Sequence, residues 1–430
     1  MSADEPIDLD AARKKKQRPS HKIPNTDWGL ELRQDQDGRV TPDVGNVAII
    51  LANAGQWRGC LTYDDFSDRI FWSRVPPKIA GMEQPRPGQE LADHHAAFVH
   101  HWFARNKGIT LKKATVQDGM VSAARMATIH PLRDYLNGLK WDGTPRLSRW
   151  LTTYLGTPRS RYTEAVGRWW MVSAIARVMR PGCQADHMLV LEGAQGLGKS
   201  SALRILAGDY YLPNLPDIKK EQAGHMLQGN WIAEVGELDA LRRQELTTVK
   251  DFVTRTVDKY RPPYGRFTIT RPRQMVFAAT TNEEAYLHDA TGARRFWPVA
   301  TTKLERSALI ADRDQLWAEA KHAFCEGEQW WPSDELQPDI KEEQAARHAI
   351  DEWQAKIAEW VDARQRTGFT VGDVLQSCMG IEPAKWTRAD QTRVGVCLKM
   401  LAYDAKRVRG DHGKQEKRYY PTAEQTELHL

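Results

Sequence analysis

One segment constrains the fold of this chain more than any other: GAQGLGKS at residues 193–200. It follows the apolar run HMLVLE at 187–192 and leads into SSALRILAG at 200–208, which has helical character. The spacing GxxxxGK(S/T) between a strand and a helix is the signature of a phosphate-binding P-loop. Its glycines let backbone N–H groups curl around phosphate oxygens at the helix N-terminus. We therefore expect the strand, loop and helix of an α/β fold here.

The side chains of this loop indicate its ligand. The Lys199 ammonium is suited to neutralising the β and γ phosphates, and the Ser200 hydroxyl is suited to ligating Mg²⁺. ATP and Mg²⁺ are thus the expected cofactors. The residues expected to bind ATP are Gly193, Gly196, Gly198, Lys199, Ser200 and Ser201.

Two further apolar runs have the character of buried strands: WIAEVGEL at 231–238 and QMVFAATTN at 274–282. Helical stretches such as residues 242–253 separate the runs, a pattern typical of a parallel sheet covered on both faces. The sequence therefore predicts an α/β protein whose P-loop ATPase core, a parallel sheet with helices, occupies residues 161–300.

Composition and periodicity divide the rest of the 430 residues into four parts. Residues 1–27 are rich in Lys, Arg and Pro and lack apolar periodicity, which predicts a disordered basic arm. Residues 28–160 are interpreted as a mainly helical N-terminal domain, and residues 301–365 as a charged helical extension. Residues 366–430 have the pattern of short helices and a β-wing, as in a winged-helix DNA-binding domain. The alternative for this last part is a solvated helical lid.

Glu234 and Glu237 are the first acids after the P-loop to follow an apolar strand run. A P-loop site needs a carboxylate at the end of a neighbouring strand, both to hold the metal and to polarise the attacking water. Either glutamate could take either role, or be a surface acid at a strand end. The third apolar run ends at Asn282, which could orient water or cap the following segment.

Ten residues farther on, GARRFWP places two guanidinium groups, Arg294 and Arg295, beside an aromatic pair. Arginine is planar and permanently charged, so it can stabilise the charge on a transferring phosphoryl group, often from a neighbouring subunit. The alternative is that one of the two only pairs with an acid of its own subunit.

The order of these motifs resembles the virulence-associated protein E family, phage and mobile-element proteins related to superfamily 3 replicative helicases. The resemblance covers roughly residues 110–350. The segments that carry it are HPLRDYLNGLKWDGTPRL (130–147), RPGCQADHMLVLEGAQGLGKS (180–200), WIAEVGELDAL (231–241), DKYRPPYGR (258–266) and FAATTNEEAYLHDATGARRFWPV (277–299).

This resemblance implies an AAA+-like ATPase that assembles into rings, expected to be hexamers, around DNA. Replication proteins are implied as further partners. Carried over to this sequence, the functional residues are Walker A Gly193, Gly198, Lys199 and Ser200, Walker B region Glu234 and Glu237, sensor Asn282, and arginine finger Arg294 or Arg295.

Residues 254–273, TRTVDKYRPPYGRFTITRPR, hold six basic side chains and a single acid, with aromatic residues between them. Cations that neutralise phosphates and rings that stack on bases are the features of a nucleic-acid contact. In the similar helicases a hairpin at this place projects into the ring channel. The alternative is a solvated basic loop that shapes the ATP site, with Arg271 or Arg273 serving the nucleotide. The DNA-binding candidates are Lys259, Arg261, Tyr264 and Arg266.

The charge of the chain is concentrated at its two ends. Residues 13–22 carry six basic and no acidic residues, and residues 385–418 carry ten basic and four acidic ones. The formal net charge is +5, so the rest of the chain is near −7. This asymmetry predicts polyanion-binding surfaces. The DNA-binding candidates in the second segment, on a recognition helix and a wing, are Arg388, Arg393, Arg407 and Arg409.

Composition also excludes several classes of protein. No run of 18 apolar residues could span a bilayer, and the first residues lack the apolar stretch of a secretory signal. We therefore expect a cytoplasmic protein that does not enter a membrane. The five cysteines are scattered without CxxC spacing, so neither a disulfide framework nor a zinc knuckle is indicated.

These observations favour an ATP-dependent DNA helicase or translocase of superfamily 3 type, acting on single-stranded or forked DNA in phage or mobile-element replication. A DNA-bound P-loop ATPase switch in regulation or host defence, without processive unwinding, is the alternative. A nucleotide-binding scaffold without turnover is a third possibility. The combination of Glu234 and Glu237 with Arg294 and Arg295 argues against it, because a scaffold needs no hydrolytic groups.

Overall fold

The computed structural model describes most of the chain. The described residues are 27–217, 223–238, 243–262, 267–283, 286–287, 293–347, 352–363, 368–409 and 415–422. The basic arm at 1–26 therefore lies outside the described residues.

The N-terminal unit combines three helices with a small sheet. In chain order its elements are α1 (Val44–Asn53), β1 (Leu61–Asp64), β2 (Arg69–Trp72), α2 (His95–Lys107), α3 (Lys113–Arg125) and β3 (Thr128–Ile129). Strand β1 lies in the middle, antiparallel to β2 and parallel to β3. Its core contains the fully buried Trp57, Trp72 and Trp102. The mainly helical expectation thus missed three strands, because these are only two to four residues long.

The central unit is the largest and carries the P-loop. Its elements are α4 (Pro131–Gly138), α5 (Trp150–Leu155), α6 (Arg161–Met179), β4 (Met188–Glu192), α7 (Lys199–Ala207), β5 (Tyr211–Leu212), α8 (Ala223–Leu227), β6 (Ile232–Val235), α9 (Arg243–Val253), β7 (Val257–Tyr260), β8 (Ile269–Pro272), β9 (Val276–Thr281), β10 (Phe296–Ala300), α10 (Arg306–Cys325) and α11 (Gln337–Ala346).

Five of these strands form one sheet in the order β10–β4–β9–β6–β5, with every neighbouring pair parallel. All residues of β4, β6 and β9 are buried. Leu189 and Leu191 of β4 face one hydrophobic cluster, while Met188 and Val190 face another. The strands are therefore covered on both faces, which explains their uninterrupted apolar sequences. The predicted parallel-sheet α/β core is confirmed.

The hydrophobic core of this unit extends past both ends of the expected range 161–300. It includes Leu132 and Trp150 before that range and Trp317 and Ile340 after it. The Trp317 ring lies 4.1 Å from the ring of Trp231, which directly precedes β6. Helix α10, expected as part of a separate extension, thus packs as a layer of the core.

Strands β7 and β8 pair antiparallel, so the described part of the basic segment forms a hairpin stem. At its base the Arg273 guanidinium forms an ion pair with Asp258, and these residues are only 2% and 5% exposed. Arg273 Nε lies 3.0 Å from Asp258 Oδ2. The Arg177 side chain is also fully buried and donates to the carbonyl oxygens of Ala185 and Arg255. The Asp258 carboxylate therefore neutralises the buried Arg273 guanidinium at the base of the hairpin.

The C-terminal unit consists of helices and one hairpin. Its elements are α12 (Glu352–Asp362), α13 (Val371–Asp373) continued by the π-helical turn Val374–Cys378, α14 (Arg388–Met400), β11 (Tyr403–Arg409) and β12 (Gln415–Pro421). Capping boxes at Thr370 and Thr387 begin α13 and α14. Ile357 and Val361 of α12 share one core with Tyr419 of β12. By packing, this unit therefore begins at α12 and not at the expected residue 366.

None of the helices within the described ranges combines the length and the apolar character that crossing a membrane requires.

The buried ion pair beneath the hairpin generates a stability prediction. Asp258→Asn leaves the Arg273 charge buried without its carboxylate, so we expect a loss of about 3–5 kcal/mol in unfolding free energy. Urea unfolding of the full chain, followed by tryptophan fluorescence, measures it. Asp37→Asn is the matched control, because Asp37 pairs with Arg39 at the surface and should change stability by less than about 1 kcal/mol. Equal stability of the two variants would contradict the prediction.

Candidate functional site

The P-loop connects the end of β4 to the start of α7. Its three glycines have positive φ angles, 141° at Gly193, 85° at Gly196 and 86° at Gly198. A Cβ on Gly193 would lie 2.4 Å from the carbonyl oxygen of Thr301, and one on Gly198 would lie 2.7 Å from Leu304 Cδ2. Only glycine fits these positions, so the loop backbone can adopt the tight curve that a phosphate cradle needs.

Lys199, the first residue of α7, is 8% exposed. Its ammonium donates to the carbonyl oxygens of Gly193 at 2.5 Å and Ala194 at 3.0 Å, both within the loop. It also donates to Asn282 Oδ1 at 3.0 Å. The structure thus brings the lysine of the P-loop and the polar tip of β9 together, as expected for neighbouring parallel strands.

Glu234 is 2% exposed and lies in β6, between β5 and β9. Its Oε1 accepts hydrogen bonds from Ser200 Oγ and from Thr280 Oγ1, each at 2.7 Å, and its Oε2 accepts one from the Tyr211 hydroxyl. A carboxylate and a hydroxyl in contact are the hard oxygen ligands that Mg²⁺ prefers. Ser200 and Glu234 therefore fit a magnesium ion.

The two glutamates that sequence reasoning left equivalent occupy different environments. Glu237 is exposed three residues beyond Glu234, with a left-handed φ of 50°. Strand β6 has already ended at Val235, so Glu237 lies outside the sheet. Ser201 is half-buried in the first turn of α7, next to Ser200.

Tyr211 is a site residue that the sequence did not reveal. Burial raises the pKa of its hydroxyl, and the hydrogen bond to Glu234 raises it further. The hydroxyl therefore stays protonated at neutral pH and donates to the carboxylate. No spacing rule marks a tyrosine on a two-residue edge strand, and the contact depends on the pairing of β5 with β6.

Glu192, the last residue of β4 and the neighbour of Gly193, was also missed. Its buried carboxylate accepts a hydrogen bond from the Tyr286 hydroxyl at 2.7 Å. Arg347, directly after α11, donates to it from Nε and from Nη2, each at 3.0 Å. Burial raises the pKa of Glu192, against the opposing effect of Arg347. Arg347 of the helical extension thus contacts Glu192, the residue directly before the P-loop.

Arg294 and Arg295 lie in a 3-10 turn directly before β10. Phe296 pairs with Met188 at the start of β4, whereas the P-loop follows the other end of that strand. Five residues of strand separate the two ends, roughly 16 Å. Burial and these two arginines lower the pKa of His187, which stacks on Trp297, to about 4. The arginine pair therefore lies at the amino end of the parallel strands, whereas its own P-loop lies at their carboxyl end.

The structure divides the basic residues of the hairpin into two groups. Lys259 and Arg261 are exposed, and Phe267 is 81% exposed. Arg271 forms ion pairs with Asp65 and Asp68 of the N-terminal unit, and Arg273 pairs with Asp258. The alternative that Arg271 or Arg273 serves the nucleotide is therefore not favoured. Tyr264 and Arg266 lie outside the described residues.

In the C-terminal unit Arg388 is exposed at the start of α14, and Arg407 and Arg409 are exposed on β11. The guanidinium of Arg393 lies 4.3 Å above the Trp353 ring. A groove of about 530 Å³ runs beside α14; its basic lining residues are Arg388, Lys399 and Lys417. Three of the four expected arginines are thus on the surface, and Arg393 packs within the unit.

One family model matches the part of the chain that holds this geometry. The family model described as the virulence-associated protein E-like domain matches residues 136–349. No curated protein matches the chain.

Similar solved structures include three at low identity. The A-form apo structure of the NrS-1 C-terminal region is 12% identical, covers 89% of this chain and 100% of its own, and has a TM-score of 0.44. Another apo structure of that region is 13% identical, with coverage of 84% and 96% and a TM-score of 0.41. A mutant RuvB of Thermotoga maritima is 15% identical, with coverage of 62% and 95% and a TM-score of 0.22.

These structural similarities are too distant to indicate a function, so the domain is assigned from the family model alone. The matched range spans the P-loop, Glu234, Asn282 and both arginines before β10. The resemblance expected from the motifs is confirmed: this chain carries a virulence-associated protein E-like domain at residues 136–349.

Proposed function

We propose that this protein is an ATP-hydrolysing motor of superfamily 3 type that assembles into a ring and moves along or unwinds single-stranded or forked DNA in phage or mobile-element replication. The observation that carries the proposal is the convergence of Lys199, Ser200, Glu234 and Asn282 at one edge of the parallel sheet. That combination is what phosphoryl transfer to water requires.

Each residue of the site has a separate role in the proposed ATP hydrolysis. Lys199 neutralises phosphate charge, while Ser200 and Glu234 would hold Mg²⁺, which would supply charge stabilisation when bound. Asn282 orients the attacking water from the tip of β9. Glu237, exposed beyond β6, is the second carboxylate available to polarise that water. Tyr211 and Thr280 hold the Glu234 carboxylate in place through their hydroxyls.

The position of Arg294 and Arg295 supports assembly into a ring. They lie at the sheet edge opposite their own P-loop, so they are unsuited to act on the nucleotide of their own subunit. A neighbouring subunit in a ring would bring them to a phosphoryl group in trans. We therefore propose an active site shared between adjacent subunits of a hexamer.

Two basic surfaces are proposed to contact DNA. The hairpin β7–β8 presents Lys259, Arg261 and the exposed ring of Phe267, which together offer phosphate contacts and a stacking face. The C-terminal unit, three helices and a hairpin, is proposed to be a winged-helix domain whose Arg388, Arg407 and Arg409 face DNA. The cationic groove beside α14 favours the alternative function, a switch that binds DNA through this unit without unwinding.

Removal of the P-loop lysine tests the nucleotide site. Lys199→Ala should reduce ATP turnover at least 100-fold, because hydrogen-bond donors to developing phosphate charge contribute about that factor or more. Phosphate release measures the turnover. The exposed lysine variant Lys78→Ala is the control and should retain wild-type turnover. Wild-type-like turnover in Lys199→Ala would refute the assignment of the site.

Mixed subunits test the shared active site. Arg294→Ala/Arg295→Ala protein and Lys199→Ala protein should each be inactive alone, yet regain activity when mixed, because each lends the part that the other lacks. Turnover is measured over a series of mixing ratios. Absence of rescue at every ratio, together with a monomer in light scattering with ATP and DNA, would reject the ring.

Matched pairs of basic residues distinguish the motor from the switch. Lys259→Ala/Arg261→Ala should lower the salt slope of DNA binding by about two units and cripple unwinding of forked duplex. ATP hydrolysis without DNA should persist, because these side chains lie outside the phosphate cradle. Arg407→Ala/Arg409→Ala removes the same charge from the C-terminal hairpin. Full unwinding by the first variant would refute the hairpin as the DNA contact of the motor. Absence of unwinding by the wild-type protein, with DNA affinity lost only in the second variant, would favour the switch.

A further inference from the structure

The turn between β1 and β2 contacts both the hairpin stem and the residues directly before β5 and β6. Within the turn, the Asp64 carboxylate accepts hydrogen bonds from the Phe66 N–H at 2.9 Å and from Ser67 Oγ at 2.6 Å. Asp68 has a left-handed φ of 57°. A residue other than glycine is held in that conformation only where its surroundings require it.

The Asp68 carboxylate holds both strands of the hairpin stem. Its Oδ2 accepts a hydrogen bond from the Tyr260 hydroxyl of β7 at 3.2 Å, and its Oδ1 accepts from the Arg271 guanidinium of β8. Arg271 also lies 3.2 Å from Asp65 Oδ1. The Asp68 side chain is 13% exposed, so water screens this ion pair less than it screens a surface pair.

The other side of the turn packs at the amino ends of β5 and β6, the strands that carry Tyr211 and Glu234. Phe66 is 2% exposed and belongs to the core of the central unit, with its ring 5.4 Å from Tyr210. Its carbonyl accepts a hydrogen bond from the Gly229 N–H, three residues before β6. A Cβ on Gly229 would lie 2.8 Å from Ser67 Cβ, so the turn and this backbone touch. Tyr210 directly precedes Tyr211, whose hydroxyl donates to Glu234.

We propose that the β1–β2 turn is a positioning element that couples the ATP site to the basic hairpin. The inference rests on the proposed function, since it takes Glu234 as a nucleotide-site residue and the hairpin as a DNA contact. A change in the hydrogen-bond partners of Glu234 alters its hydrogen bond with Tyr211 and moves that tyrosine. Tyr210 and Phe66 transmit this movement to Asp68. Asp68 then moves both strands of the hairpin, because it holds Tyr260 and Arg271. This assigns a function to the N-terminal unit.

A contact that only stabilised the fold would lower stability and leave the response to DNA intact. Coupling between two sites predicts the opposite result, because its loss separates the sites while each keeps its own activity. The deciding quantity is therefore the ratio of DNA-stimulated to basal ATP turnover, measured on the full chain.

Asp68→Asn is the test variant, because asparagine has the same shape and tolerates a left-handed φ but lacks the charge. Its basal turnover and KM for ATP should stay within about twofold of wild type, while stimulation by forked DNA falls by about fivefold or more. Glu90→Gln is the matched control, since Glu90 pairs with Arg69 at the exposed face of the same unit. Wild-type stimulation in Asp68→Asn would overturn the proposal.

Hydrogen exchange provides a second readout that needs no DNA. In the wild-type protein, Mg²⁺ with a non-hydrolysable ATP analogue should change exchange at residues 257–260 and 269–272. The change should be absent in Asp68→Asn and in the milder variant Tyr260→Phe, which covers the case that Asp68→Asn does not fold. An equal change in the variants, or none in the wild type, would overturn the coupling. Wild-type ATP turnover that ignores DNA would instead contradict the proposed motor.

Discussion

Burial of strand β4 on both faces is the constraint on which the rest of the structure depends. Its side chains alternate between two hydrophobic clusters, so the strand is held inside the parallel sheet, between β10 and β9. Because all five strands run in the same direction, the residues at their carboxyl ends meet at one edge. That edge brings together the P-loop, Glu234 from β6 and Asn282 from β9. The arginines before β10 lie at the other edge for the same reason.

Ion pairs of buried and half-buried side chains join neighbouring parts of the structure. Glu192 forms an ion pair with Arg347 of the helical extension. Asp258 pairs with Arg273 at the hairpin base, and Asp68 of the N-terminal unit pairs with Arg271. Removing one partner of the buried Asp258–Arg273 pair is costly, because the other charge stays buried without compensation. These pairs therefore fix how the hairpin, the extension and the N-terminal unit sit on the ATPase core.

Sequence reasoning found the parts of the site that local pattern determines. The P-loop and the strands with Glu234 and Asn282 follow from motif spacing and apolar runs, whereas the hairpin in the basic segment was implied only by the family resemblance. It did not find Tyr211, Arg347 or Asp68, because their contacts join residues 23, 155 and 203 positions apart. The short strands of the N-terminal unit were missed for a related reason, since two to four residues give no clear alternation. Arg393 was expected to face DNA, and only the fold shows that it stacks on Trp353.

The central claim is that subunits share their active sites in a ring that encloses DNA. Electron microscopy of the wild-type protein with Mg²⁺, a non-hydrolysable ATP analogue and forked DNA tests this claim most directly. The account predicts closed rings with a DNA strand in the channel beside the β7–β8 hairpins, and with Arg294 or Arg295 of one subunit at the P-loop of the next. Single subunits attached to DNA through the C-terminal unit would contradict it.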